Sequence, residues 1–179
     1  MKRLWLIAIL ALGLAAGSAR AAGIGGSLYG GMAFPILQDD QGTGSIYGVR
    51  VPVKLVPLFT VEPFYSSSDL GDKTLDIAPG FSVTRDGSAV KTYGVNALLT
   101  MSGPISFYPF LGFGSANFKR EGQDETMTSY DFGLGVGFAP IPKFSIDVRG
   151  ELQAAVADGA SRKMFNATLG ASYSFFSMP

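Results

Sequence analysis

The sequence predicts an all-β protein: a closed, eight-stranded antiparallel up-and-down transmembrane β-barrel. Three observations carry that expectation. Charged residues make up only 16% of the chain, against about a quarter in soluble domains. After residue 21 no apolar run approaches the roughly 20 residues that a membrane-spanning helix needs. In place of such a run, segment after segment alternates apolar and polar residues with period two, the pattern of a strand with two unlike faces.

The first residues, "MKRLWLIAILALGLAAGSARAAG", follow a different rule. Lys2 and Arg3 precede a short apolar run over 4–14, and Ala19-Arg20-Ala21 forms an A-x-A cleavage site. Residues 1–21 therefore read as a secretory signal peptide and 22–179 as the barrel domain. The apolar run is too short to cross a bilayer as a helix. Without cysteine there is neither a lipid-attachment site nor a disulfide framework. Removing Lys2, Arg3 and Arg20 leaves 11 basic residues against 14 acidic ones, a net of −3, which argues against nucleic acid as a partner.

Each strand then follows from its parity. Over 23–34, Ile24, Leu28, Met32 and Phe34 share the apolar face. Over 45–56, Tyr47, Val49, Val51, Val53 and Leu55 oppose Gly48, Arg50 and Lys54. Over 58–66, Phe59, Val61 and Tyr65 oppose Thr60 and Glu62. Over 91–101, Tyr93, Val95, Ala97, Leu99 and Met101 oppose Thr92, Gly94, Asn96 and Thr100. Over 106–119, Leu111 and Phe113 oppose Gly112 and Gly114, while Phe110 and Phe118 fall on the glycine parity. That conflict requires either a bulge or two rings pointing the other way. Over 130–139, Tyr130, Phe132, Leu134, Val136 and Phe138 oppose Asp131, Gly133, Gly135 and Gly137. Over 144–153, Phe144, Ile146, Val148 and Leu152 oppose Ser145, Asp147, Arg149, Glu151 and Gln153. Over 165–176, Phe165, Ala167, Leu169, Ala171, Tyr173 and Phe175 oppose Asn166, Thr168, Gly170, Ser172 and Ser174.

Short connections (Val56-Pro57, Ser102-Gly103-Pro104 and the stretch from Pro140 to Lys143) alternate with longer polar ones over 37–44, 67–90, 120–129 and 155–163. Tight periplasmic turns alternating with longer outer loops are the layout of an outer-membrane barrel. Asp86-Gly87 in the second long loop signals a hairpin, so the third and fourth strands should rise above the membrane surface.

The rival is a soluble barrel or sandwich, with Val and Phe inside. Three features count against it. The non-apolar parity is often glycine, which weakens a strand but leaves room inside a narrow eight-stranded cylinder. Aromatic residues gather at two levels: Phe34, Tyr47, Tyr65, Tyr93, Tyr130 and Phe165 beside the long loops, and Phe59, Phe138, Phe144, Tyr173 and Phe175 beside the short turns. Paired interfacial girdles look like this. Tyr93 to Met101 and Tyr130 to Phe138 each span nine residues, close to the ~9–11 of a tilted transmembrane strand. The apolar parity should face lipid.

At this point the chain resembles the small eight-stranded outer-membrane proteins of the OmpA-barrel and OmpX type, part of the porin family of outer-membrane β-barrel domains. The resemblance covers essentially the whole mature chain. Its most specific part runs from Thr168 to Phe175, similar to the polar-x-Gly-x-x-aromatic-x-aromatic signal of a last strand. It implies that Gly170, Tyr173 and Phe175 are read by the barrel-assembly machinery. "YPFLGFG" (108–114) is similar to the Pro-aromatic-x-Gly-x-Gly strand of such barrels. One departure is that Ser177-Met178-Pro179 follow Phe176, where family chains stop at an aromatic.

The expected lumen carries Arg50, Lys54, Glu62, Asp131, Asp147, Arg149 and Glu151. Three positive and four negative groups in a narrow tube should form one ion-pair network, since an unpaired buried charge is expensive. Eight strands leave almost no bore, so that network is expected to occlude the tube. Absence of His and Cys removes the usual nucleophile–base pairs and transition-metal ligands. Asp147 and Glu151 tempt an acid/base reading, but Arg149 between them favours charge compensation. No enzyme activity, cofactor or metal is expected. Acidic loop residues (Asp39, Asp40, Asp69, Asp72, Asp76, Glu121, Asp124 and Glu125) suit solvation, divalent-cation contact with lipopolysaccharide or an external partner. Asn166-Ala167-Thr168 is a glycosylation sequon inside a strand and is discarded. Gly-x-Gly runs with no following helix are not phosphate loops. The expected protein is therefore an exported, integral outer-membrane barrel surrounded by outer-membrane lipid and lipopolysaccharide, with a structural or surface-interaction role through its loops. A narrow channel for small solutes is the second reading, and a lipid-modifying enzyme the third.

Overall fold

The computed structural model describes residues 23–36, 41–78, 80–101, 105–120, 123–157 and 159–177. The expected signal peptide and the turn at Ser102-Gly103-Pro104 lie outside them. In chain order the strands are β1 (Gly23–Ile36), β2 (Gly44–Arg50), β3 (Val53–Val56), β4 (Phe59–Asp69), β5 (Lys73–Ala78), β6 (Phe81–Arg85), β7 (Ala89–Leu99), β8 (Ile105–Arg120), β9 (Gln123–Ile141), β10 (Phe144–Ala157) and β11 (Ala160–Ser177). Every pairing among them is antiparallel, and β11 returns to β1, from Ile24↔Phe176 to Ile36↔Lys163. The sheet is thus a closed barrel of eight crossings, β2 and β3 being two halves of one. Closure leaves no unpaired edge, as a sheet immersed in hydrocarbon requires.

The second crossing is broken at Val51-Pro52, where an unbroken strand was expected. Pro52 has no N–H to give a ladder. Its carbonyl instead accepts the Gly25 N–H at 3.0 Å, and the Val51 N–H reaches the Pro63 carbonyl at 2.9 Å. Both neighbours stay attached across the break.

Three connections differ from expectation. Residues 120–129 and 155–163 are mostly strand rather than loop: β8 and β9 pair up to Arg120↔Gln123, and β10 and β11 up to Ala157↔Ala160. Polar composition there marks strand that has risen past the aromatic level, its outer face polar while Met127, Ser129 and Ala155 stay buried on the inner face. Asp86-Gly87 is not a hairpin tip. The excursion between β4 and β7 folds into its own hairpin, β5–β6, which turns at Gly80 with φ +83°. Gly87 lies at the foot of that hairpin, donating its N–H to Asp72 Oδ1 at 2.7 Å.

The faces separate by chemistry. Leu28, Leu111, Leu134, Val148 and Leu169 are exposed, Leu111 at 70%, whereas Arg50, Glu62, Asn96 and Asp131 are at most 2% exposed. This inversion of a soluble core is the arrangement of a barrel in lipid. Outward rings meet between neighbouring strands near the long-loop end: Phe34 and Phe165 at 6.2 Å, and Phe113 and Tyr130 at 5.7 Å. Leu134 sits midway between Tyr130 and Phe138 on β9. Leu134→Arg should cost about 2–4 kcal/mol of unfolding free energy in bilayers, measured by urea titration of the vesicle-folded protein. A soluble fold would tolerate the change at this exposed position.

Phe110 and Phe118 resolve their parity conflict without a bulge. β8 pairs with β7 and β9 in unbroken register, and both rings point inward at 3% exposure. Phe110, together with Tyr108, explains glycines on β9. A Cβ on Gly133 would stand 2.6 Å from Phe110 Cζ, and one on Gly135 would overlap the Tyr108 ring. Glycine on β9 is the slot into which β8 lays its rings.

Candidate functional site

Four of the seven charged residues expected in the lumen come together, and they do so across the tube. Arg149 on β10 grips Glu62 on β4 with two parallel bonds, Nη1 to Oε1 at 2.6 Å and Nη2 to Oε2 at 2.8 Å. Around the barrel β4 and β10 are diametrically opposed, so this fork spans the bore. Arg149 Nε also donates to Asp147 Oδ2 at 3.0 Å and to the Tyr108 hydroxyl at 2.9 Å. That hydroxyl in turn donates to Asp147 Oδ2 at 3.0 Å. Arg50 on β2 completes the group, with Nη1 3.6 Å from Asp147 Oδ2 and Nε 3.9 Å from Glu62 Oε1. Two arginines and two carboxylates make a neutral cluster, all four residues at most 5% exposed. Bidentate, charge-assisted geometry of this kind is among the strongest hydrogen bonding available to side chains.

Aromatic and amide neighbours hold the arginines in place. The Arg50 guanidinium lies 3.5 Å from the centroid of the Tyr29 ring, and that of Arg149 lies 4.9 Å from Tyr108 and 5.5 Å from Phe110. Thr168 on β11 accepts from Arg50 Nη2 at 3.3 Å, and Asn96 on β7 donates to Glu62 Oε1 at 3.5 Å. Tyr29 and Tyr108 escape a reading built on charge. Their signal was parity: each shares a face with glycine and polar residues rather than with the lipid-facing set.

The expectation of a single seven-membered network is corrected for the other three. Lys54, half-buried on β3 opposite Thr60, makes no ion pair among the described residues. Four residues past Arg50, it stands at the short-turn end, beyond reach of the cluster. Asp131 accepts from Ser129 Oγ at 3.0 Å, and Glu151 from Asn166 Nδ2 at 3.1 Å. Neither has a cationic side chain within salt-bridge distance among the described residues, because the two arginines nearby are already engaged by Glu62 and Asp147.

Toward the long-loop end the lumen turns from charged to neutral polar and then to apolar. Gln153 donates to Thr92 and Ser129 at 3.1 and 3.0 Å. Beyond it, Ala33, Ile46, Leu70, Val90, Phe118, Met127 and Met164 form one buried cluster. Of the residues implied in assembly, Gly170 faces the lumen, where a Cβ would meet Asp147 Oδ1 at 2.7 Å. Tyr173 and Phe175 face outward with their rings 5.7 Å apart, and Tyr173 pairs with Gly26 in the β1–β11 seam.

Comparison with known proteins agrees with the closed-barrel fold. Among solved structures the chain is similar to Neisserial surface protein A (TM-score 0.62, 13% identity, covering 86% of this chain and 97% of that one). It is similar to the N-terminal β-barrel domain of Pseudomonas aeruginosa OprF (0.56, 15%, 87% and 99%). A third match is Ail, the attachment invasion locus protein of Yersinia pestis, solved with the heparin analogue sucrose octasulfate (0.52, 18%, 87% and 98%). At such identities these likenesses speak to fold alone. No curated protein sequence matches the chain. A family model for the outer membrane protein beta-barrel domain matches residues 6–175. On that match and this architecture, the chain belongs to the outer membrane protein beta-barrel domain family.

Proposed function

We propose that this protein is a non-conducting, non-enzymatic barrel of the outer membrane, exported with loss of residues 1–21, whose role is structural or exercised through its outer surface. The observation that carries the reading is the double filling of the tube. The Arg149–Glu62 fork crosses the bore at one level, and the apolar cluster around Phe118, Met127 and Met164 fills another. Eight strands enclose little more than their own side chains, so two packed layers leave no continuous water path.

The outer surface offers material for contact. On the β5–β6 hairpin Phe81 is 75% exposed and Val83 46%, two apolar side chains standing beyond the barrel wall. Asp69, Asp72, Asp76 and Asp124 are exposed around the same end; Asp39, Asp40 and Glu121 lie outside the described residues. Lys91 projects outward one step beyond Tyr93 on β7, a cation of the kind that would suit lipopolysaccharide phosphates.

Planar-bilayer recording tests the seal. Wild-type protein should show no steady conductance, whereas the combined change Phe118→Ala, Met127→Ala and Arg149→Ala, which thins both layers, should show discrete open events. Sustained current through wild-type protein overturns the sealed barrel in favour of the narrow channel.

A further inference from the structure

We infer that the middle of the lumen binds a divalent cation of the calcium type between Asp131 on β9 and Glu151 on β10. The two carboxylates face the same interior space on adjacent strands. Asp131 pairs with Gln153 and Glu151 with Gly133, which places them diagonally across one ladder, with the Phe110 ring lying over Gly133. Arg149 is two residues from Glu151, but its guanidinium is turned to Glu62 and Asp147. The arginine cluster is neutral by itself, so Asp131 and Glu151 leave a charge of −2 that no described side chain offsets. Uncompensated charge in a closed interior is too costly to persist without a counterion.

A second observation points at the same space. Asp131 Oδ2 and Asn166 Oδ1 are fully buried oxygens without a hydrogen-bond partner, on residues 2% and 1% exposed. Asn166 lies directly opposite Glu151 in the β10–β11 ladder and holds its carboxylate through Nδ2, which leaves the amide oxygen free beside it. Asn96 Oδ1 is a third unpartnered oxygen, over Gly112, the residue paired with Asp131 across β8–β9. Glu151, although inward, is only half-buried, so room remains at its side. One proton would satisfy one of these oxygens. A divalent cation answers all of them and cancels the charge. Carboxylate and amide oxygens in irregular array, without nitrogen or sulfur, are a calcium-like donor set, since magnesium demands stricter octahedral geometry and keeps its waters.

The test uses mature protein folded into detergent micelles, stripped with EDTA and dialysed against calcium chloride. Wild type should bind about one calcium ion tightly and unfold at a higher temperature with calcium than without. Asp131→Asn and Glu151→Gln should each weaken that binding at least about tenfold and abolish the thermal response. In EDTA, Asp131→Asn should unfold no lower than wild type, because the amide removes an unmatched charge. That result separates loss of a ligand from failure to fold. Asp76→Asn with Asp124→Asn, both on the exposed outer end, should leave binding unchanged. Absence of bound calcium overturns the inference. So does binding that survives both lumen substitutions or vanishes in the outer pair. Stability that follows pH and ignores calcium, the mark of a shared proton, overturns it as well.

Discussion

Arg149→Met is expected to lower the unfolding free energy by about 3–5 kcal/mol, the usual cost of removing one partner from a buried ion pair. The loss does not come mainly from forfeited attraction. Glu62, 1% exposed, would keep its charge with only Asn96 at 3.5 Å and Arg50 at 3.9 Å to answer it. Asp147 would lose its Nε donor, and the Tyr108 hydroxyl would keep only one of its two bonds. The double variant Glu62→Gln with Arg149→Met should recover most of the loss, because no orphaned charge remains. Urea unfolding in lipid vesicles, followed by the gel shift between folded and heated protein, reads both. Equal stabilities for the single variant and wild type would show that the fork contributes nothing net.

Gly31→Val is expected to be as damaging for a different reason. Gly31 pairs with Thr168 in the seam where the first and last strands meet. A Cβ there would overlap the Ala167 carbonyl oxygen and stand 2.8 Å from Thr168 Cα. These are backbone atoms, so no rotamer change relieves the clash, and the seam must widen. Overpacking ordinarily costs about 1–3 kcal/mol; a seam that closes the barrel should sit at the top of that range. Gly30→Ala, one residue earlier, is the control. Its Cβ would meet nothing nearer than the Ile46 carbonyl oxygen at 3.7 Å. Folding yield into vesicles should collapse for the first variant and hold for the second.

Fold and lumen differ in how far sequence reveals them. Alternation shows which side chains share a face, and closure plus lipid decides which face is dry. From these, Asp147 and Arg149 inside with Ile146 and Val148 outside could be read directly. What alternation lacks is height and azimuth. Arg50 and Lys54 share a parity, yet only Arg50 reaches the carboxylates, because Lys54 stands four residues, roughly 13 Å, nearer the short turn. Asp131 and Glu151 share the interior with two arginines that are already committed elsewhere. A pairing across the tube depends on register summed over several strands, and no local pattern records that sum. Tyr29 and Tyr108 are hidden differently: aromatic rings in such a barrel suit the girdles, whereas these two sit on the glycine face and roof the arginines.

The fork between β4 and β10 also bears on how long the folded barrel lasts. Glu62 and Arg149 are 87 residues apart and lie on strands that never touch, so their bond must wait until the cylinder has rounded shut. Interactions absent from the transition state slow escape from the native state without hastening arrival. This crossbar should act as a latch on a finished vessel, setting its lifetime while leaving the speed of insertion to the ladders.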